Sequence, residues 1–586
     1  MLQRHVQFDG TSPTLPDEAV RLDVACFLGY LALRKDAVAD DALVHWLDRQ
    51  GYLSRAEKDG VTPVGLIDRP IPIRSLADAE AWFDLDLRLD RVAVLEGGAI
   101  PQDLGEATLA PFAVTIDGGL HEVDLSGLPS DVNAIAQHLD QQFPDLDIWV
   151  QQRDGENRLR LRRTQRAGPG TLSVLAHPVL GFHTSQHTAA RRVGTAMGAA
   201  LRQFFAMGGQ QAYVVSFGVP APVLSPADAR ADKLAALLDL QSHTGTIDNN
   251  SFQSEFPAAH IDAAERSGLT HLFGLEDLGA LVMPDLPDLV GSDDVILGTP
   301  DTGLRPLAGF AECLPPPPAA TNAFASVLPL PMCAPDGAAI WGAALSRVTR
   351  FLEGFRRDVM MMAAVPETQS GLDIAPLIPR SELLMIAAPF VVTPASNGLP
   401  GGAMGGDAVL LGHVARLLLS DAPHGSMAAA PLAQVNALSG NARAHLDMIC
   451  RLEKGPRDIR YTADLTTDGD QLWRAAPARR MMQRLLKHAA RMGNGIVFEP
   501  ISDGLMRQIA MSFETVLQDI QQSGGLRPGR DDPGFSVICN RTNNPERERD
   551  QGRIRADISF RAAVPIEMIR VSLPISGGFR SDGSQP

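Results

Sequence analysis

Between residues 190 and 290 helix-like and strand-like segments alternate, and this limits the possible folds more than any other feature of the chain. ARRVGTAMGAALRQFFAM predicts a helix and QAYVVSFG a strand. ADARADKLAALLDLQ predicts a second helix, and LGALVMPDL a strand ending at Pro284. Such alternation points to a βαβ sheet. At its centre, LRQFFAMGGQQAYVVSFG places Gly208-Gly209 between helix and strand. A phosphate loop needs backbone N–H groups at a helix N-terminus, usually with a lysine. Here the glycines follow the helix, where a C-cap sits, and no lysine accompanies them. Phe204 and Phe205 are then packing residues, and Gln211 to Phe217 form the strand.

Other stretches carry different patterns. VRLDVACFLGYLAL alternates and then runs apolar, as a buried strand does. DDALVHWLDRQGYL and RSLADAEAWFDLD read as short helices, the second capped by Ser75. Residues 110–182 read as a compact insertion. FAVTIDGGLHEVDL is a hairpin turning at Asp117-Gly118-Gly119, and SDVNAIAQHLDQQF is a helix capped by Ser130 or Asp131. A second hairpin turns at Asp154-Gly155. The four prolines 315–318 mark a stiff connector. Farther on, NGLPGGAMGG reads as a mobile loop, DAVLLGHVARLLLS as a helix and GIVFEP as a strand. DGLMRQIAMSFETVLQDIQQ reads as a helix, followed by the strands GFSVICN, IRADISFRAA and VPIEMIRVSLPI.

A net charge of −17 argues against nucleic acid as the main partner, because phosphate binding needs a basic face. Cys26, Cys313, Cys333, Cys450 and Cys539 are odd in number and widely spaced. They fit buried free thiols in a reducing compartment better than a disulfide framework. The first residues lack the apolar core of a secretory signal, and no run of 18 apolar residues occurs. The expectation is a chain made in the cytoplasm, without direct membrane insertion.

Motifs for chemistry are sparse. His183 and His187 have a metal-like spacing, but HTSQH lacks the glutamate of HExxH. Asp464, Asp468 and Asp470 do not match a calcium loop and read as a turn. No GxSxG occurs. The expectation is no catalytic residue, no metal and no cofactor. One helix stands out: Arg480, Arg484, Lys487, His488 and Arg491 recur at spacings of three and four and share a face, with Met481, Met482, Leu485, Leu486 and Ala489 on the other. That basic stripe reads either as a solvated face or as a surface for an acidic partner.

Taken in order, the segments resemble the tail sheath proteins of contractile phages and related contractile injection systems. VRLDVACFLGYLALR is similar to the family's first core strand, and PIPIRSLADAEAWF to its next strand and helix. ALRQFFAMGGQQAYVVSFG resembles its Phe-Phe, Asn-Gly-Gly, Tyr-Val-Val signature. Ala206-Met207 replaces the usual Glu-Asn, and Ser216 stands where Arg is common. LGALVMPD, LLMIAAPFVVTP, GGDAVLLGHVARLLLSDAPHGSMAAAP, GNGIVFEPISDGLMRQI and the block from GFSVICN to MIRVSL follow in the family's order. The insertion resembles an accessory module of some larger sheath and tail proteins.

The resemblance implies an α/β and α+β multidomain chain. Its parts are an N-terminal arm (1–18), a core α/β sheath domain (19–108 with 186–375), an inserted α+β domain (109–185), a C-terminal sheath domain (376–566), and a terminal strand and tail (567–586). It implies a structural subunit, not an enzyme, that polymerises as stacked hexameric rings around an inner tube and contracts. Implied partners are further copies of the chain, the inner tube protein, and baseplate and tail terminator or cap proteins. The arms would exchange strands between subunits, with Val6, Phe8, Met568, Ile569, Val571 and Leu573 as candidates. The stripe Arg480, Arg484, Lys487 and Arg491 would face an acidic tube. Two other readings are a baseplate or cap protein with a sheath-like domain, and a subtilisin-like hydrolase built on the central α/β region.

Overall fold

The structure, a computed structural model, describes residues 21–576 except 105–108, 165–169, 241–250, 257–261, 292–327, 369–371, 420–431, 440–447, 564–568 and the single positions 154, 226, 254, 329, 433, 498 and 531. The alternation read from the sequence becomes a mixed eight-stranded sheet. Its strands are β1 (Ala25–Gly29), β2 (Pro70–Ile73), β3 (Ala212–Ser216), β4 (Ala280–Val282), β5 (Met360–Ala364), β6 (Leu384–Ala388), β7 (Cys450–Lys454) and β8 (Ile459–Tyr461). They lie in the order β8-β7-β6-β5-β4-β1-β3-β2. Neighbours from β7 to β3 run parallel, and the outer strands β8 and β2 run antiparallel.

From β3 to β6 both faces of this sheet are buried, and the strands show it residue by residue, whereas β7 exposes Arg451 and Glu453 on one face. Ala25, Phe27, Val214, Met360 and Met362 enter one apolar cluster. Cys26, Leu28, Tyr213, Val215, Met361 and Ala363 enter the other. A period of two with apolar residues at every position is what a covered parallel sheet requires. Helix α1 (Ala196–Ala206) covers the first face, and α2 (Pro335–Phe355) the second. Helix α3 (Asp407–Leu419) joins α1 on the first face. Phe204 sits edge-on to Phe27 at 5.5 Å, fixing α1 to β1. Gly209 lies against the Phe204 ring, so close that a Cβ there would meet it at 2.3 Å. The double glycine is therefore a packing device between helix and strand.

Residues 112–190 form further small sheets with their own apolar cluster, which includes Phe112, Ile135, Leu159 and Phe182. Asp117 and Gly118 turn the first hairpin with φ of 50° and 85°, and Asp131 caps the helix Val132–Gln142. The cluster also takes in Ala93, Leu95 and Ile100, because the strand Val94–Glu96 pairs with Glu156–Arg163. The large sheet, for its part, continues through β6, β7 and β8 to Tyr461, past residue 375. A separate apolar cluster begins at Ala478 and ends at Ala562. It is built from α4 (Ala476–Ile496), α5 (Asp503–Gln522), β9 (Phe535–Ile538) and β10 (Arg553–Phe560); β9 and β10 form a three-stranded sheet with β11 (Ile569–Ser576). The described residues of GIVFEP are not a strand: Gly495 and Ile496 end α4, because the buried Met492 and Ile496 continue its apolar face. NGLPGGAMGG is held in short turns, with the Gly401 N–H donating to Leu328 O at 2.6 Å and the Gly194 N–H to Gly398 O at 2.8 Å.

At the C-terminal ends of β1 and β4, the buried Asp285 accepts a hydrogen bond from the Tyr30 N–H at 2.7 Å. Burial pushes its carboxyl up to about 7, with Asp288 adding to the rise and the Tyr30 N–H, Arg88 and Lys233 opposing it. The folded value lies above the unfolded one, near 3.9. Its favourable contribution is therefore complete below pH ~4 and is lost as pH rises through 7. Asp285→Asn is expected to raise stability at pH 8 by on the order of 1 kcal/mol or more, and to leave it unchanged near pH 4. Urea unfolding at both values measures this, and a difference independent of pH would contradict the assignment.

Candidate functional site

Helix α4 carries the basic stripe, and the structure splits that stripe three ways. Arg480 is fully buried and forms a paired contact with Asp464 at 3.0 and 2.6 Å. Lys487 is also buried, donating to Glu276 O at 3.1 Å and lying 3.4 Å from Asp358. Arg484 is partly exposed and lies 3.8 Å from Asp519 on α5, and His488 bonds Ser512 of the same helix at 2.8 Å. Arg491 is exposed. The four residues expected to form one accessible surface therefore do not. The physical reason is that α4 has two buried sides. Met481, Met482, Leu485 and Met492 pack in the apolar cluster with α5 and β10. The other side meets the N-terminal end of the large sheet.

That second contact is made largely by polar side chains of α4, with Ala476 joining the apolar cluster of the large sheet. Gln483 donates to Gly279 O at 2.5 Å and to Asp358 O at 2.8 Å. Arg479, fully buried, donates to Arg357 O and lies 4.0 Å from Glu382. Gly279 lies one residue before β4, and Asp358 and Glu382 lie two residues before β5 and β6. Side chains from α4 thus meet carbonyls and carboxylates that the strand entries present. Burial lowers Arg479 to about 10 and Lys487 to about 8, with Asp358 opposing the fall at Lys487. Sequence reasoning does not single out Arg479, Gln483, Asp358 or Glu382. An Arg-Arg pair followed by Gln on a helix with no exposed apolar face was the available signal.

The terminal strand is present. β11 pairs antiparallel with β10 over eight positions, Ile569 opposite Phe560, Val571 opposite Ile558 and Leu573 opposite Ala556. It is an outer strand of its sheet. Val6, Phe8 and Met568 lie outside the described residues. The large sheet offers a shorter edge: β2 is the four-residue PIPI, with two prolines that lack N–H donors, whereas the eight residues of β11 include one, Pro574.

The remaining candidates are spent locally. His183 and His187 are not on a helix: His187 lies in the strand Gln186–Ala190 and bonds Ser173 at 2.7 Å. Asp464 belongs to Arg480, and Asp468 accepts from the Asp470 N–H at 2.8 Å in a turn. The fully buried Ser216 hydroxyl donates to Leu31 O at 2.7 Å and accepts from the Leu31 N–H at 2.9 Å. Cys26, Cys333, Cys450 and Cys539 are buried free thiols, the first three pushed up to about 12 and Cys539 to about 11 by burial; Cys313 lies outside the described residues. Among the described residues no group of three or more His, Cys, Asp or Glu could hold a metal, and no helix is long and apolar enough to cross a membrane.

Removing one member of a buried ion pair leaves an uncompensated charge and costs about 3–5 kcal/mol. Arg480→Ala is expected to lose that much, and Arg491→Ala less than about 0.5 kcal/mol, as at an ordinary surface position. Urea midpoints of the two variants measure the contrast, and equal losses would show that α4 is not anchored through Arg480.

No family model matches the chain, and no curated protein matches it. Among solved structures, the chain is similar to a chain of the anti-feeding prophage baseplate at 17% identity, covering 64% of this chain and 80% of that one, with a TM-score of 0.41. It is similar to the anti-feeding prophage helical sheath in the contracted state at 16% identity, covering 65% and 81%, with a TM-score of 0.39. It is also similar to a sheath tail protein from Listeria innocua at 10% identity, covering 94% of each chain, with a TM-score of 0.36.

Proposed function

We propose that the chain is a structural subunit of a contractile tail sheath, polymerising as stacked hexameric rings around an inner tube and contracting to drive that tube through a target envelope. The observation that carries this reading is the terminal strand, joined at the outer edge of a three-stranded sheet through an eight-position main-chain ladder. A neighbouring copy's strand can make the same ladder, because strand addition reads backbone groups. Each such hydrogen bond contributes about 0.5–1.5 kcal/mol net, so a full ladder joins subunits while their bodies rotate. The ordered sequence resemblance supplies the family.

In this reading Val6 and Phe8 of one copy, and Met568, Ile569, Val571 and Leu573 of another, supply exchanged strands. Contraction is release of a kinetically trapped lattice and needs no active site. The subunit assembles in the cytoplasm and then forms part of the particle, joined to baseplate and terminator or cap proteins. Contact with an acidic tube falls to the exposed Arg491 and the partly exposed Arg484, because Arg480 and Lys487 are buried.

Electron microscopy of the purified full chain tests the main reading. Helical tubes or stacked rings are expected; discrete closed rings would favour a cap protein, and monodisperse monomers would overturn both. Val571→Pro removes a main-chain donor from the exchanged strand and is expected to abolish tubes. For the tube contact, the double variant Arg484→Glu, Arg491→Glu is expected to lose assembly on the tube at moderate salt. Normal assembly of that variant would end the proposal for those two residues.

A further inference from the structure

Where α4 crosses the entries of β4 and β5, a cavity of about 330 Å³ remains, lined by Phe273, Glu276, Asp277, Arg356, Asp358, Lys487, Ala490, Arg491 and Asn494. That is the lower end of the range for small-molecule sites. Lys487 and Arg356 are its buried members, at 4% and 8% exposure, and Glu276, Ala490, Arg491 and Asn494 are exposed. The carboxylates are largely engaged: Asp358 accepts from Arg356 at 2.9 and 3.0 Å, and Asp277 from the Tyr213 hydroxyl at 3.0 Å and Gln211 at 3.3 Å.

The residue type at 487 is the unexpected part. The chain has 52 basic residues, and only five are lysines: Lys35, Lys58, Lys233, Lys454 and Lys487. The other buried cations at this seam, Arg356, Arg479 and Arg480, are arginines. For holding carboxylates and carbonyls, the five-donor fork of arginine serves better than an ammonium. A lysine does what arginine cannot at accessible pH: it gives up its proton and bonds covalently.

We propose that this cavity is a covalent binding site for a small anionic carbonyl compound, an aldehyde or ketone bearing a carboxylate or phosphate, with Lys487 as the residue that bonds it. The neutral Nζ attacks the carbonyl carbon. The nitrogen loses its two protons, the carbonyl oxygen leaves with them as water, and C=N replaces C=O. Nothing is oxidised or reduced. The anionic group meets Arg491 at the exposed side, and the Phe273 ring walls the cavity. Burial holds Lys487 at about 8, so a substantial share of the amine is neutral in mildly alkaline solution, whereas an exposed lysine, near 10.4, is almost all charged.

The test uses the full-length protein and pyridoxal 5′-phosphate as an anionic aldehyde probe, followed by borohydride reduction and peptide mapping. At sub-equimolar probe and pH 8, Lys487 is expected to carry at least fivefold more label than each of the exposed Lys35, Lys58 and Lys454. Its labelling rate should rise with a midpoint near pH 8. Arg491→Ala should weaken labelling at Lys487 several-fold without moving the midpoint. Label that follows exposure, with Lys487 modified only after unfolding, would overturn the proposal. So would a rate at Lys487 that climbs with the same pH profile as the exposed lysines. The mapping needs no variant at 487, so the result does not depend on whether Lys487→Arg folds.

Discussion

The structure depends on a seam of buried charge. Helix α4 belongs by its apolar side to the terminal unit and by its polar side to the large sheet. An unpaired charge at such a depth is strongly destabilising. Lys487 is tolerated there because the chain before β4 and β5 supplies the Glu276 carbonyl and the Asp358 carboxylate, and Arg480 because Asp464, just past β8, pairs with it; Arg479 donates to Arg357 O, with its Nε and Nη1 left without a hydrogen-bond partner among the described residues. A hydrophobic joint would hold two units together in several orientations. A joint of paired ions and directed hydrogen bonds holds one, because each misaligned donor costs its full desolvation.

The two main sheets treat their edges in opposite ways. The large sheet is covered on both faces from β3 to β6 and ends in a proline-bearing strand at β2 and a three-residue strand at β8. Both endings discourage strand addition. The terminal sheet ends in β11, an eight-residue strand from the last part of the chain. One sheet builds the body and the other offers a backbone template. The proposed division of labour, a stiff subunit joined to others by its arms, rests on the length of β11, which carries one proline, Pro574, in eight residues against two in the four residues of β2.

Much of this was legible in the sequence because it is local. The hairpin at Asp117-Gly118, the Ser75 cap and the helix stop at Gly208-Gly209 are each decided within a few residues. The alternation over 190–290 announces the parallel sheet for the same reason. The seam was not legible. Spacing places Arg480, Arg484, Lys487 and Arg491 on one face of α4, but whether that face meets water depends on β4, β5 and β6, more than 90 residues away in the chain. A basic stripe in an acidic protein looks like a surface, and only tertiary packing shows that half of it lies inside. The extent of the large sheet was hidden similarly, since β7 and β8 look like parts of the last region until their pairing with β6 is seen.

The seam also bears on how such a body carries load. The parallel strands β4, β5 and β6 are entered at the end where α4 lies, and force on the terminal sheet reaches them through α4. Pulling on β11 shears the ladder with β10, in which eight register positions share the load. Separating α4 from the sheet would instead expose several charges to a partly dry cleft. Both steps are costly. In the proposed lattice the ladder would re-form on another copy of the chain, whereas the seam joins elements of one chain. A lattice built this way would rearrange at its arms while each body stays whole.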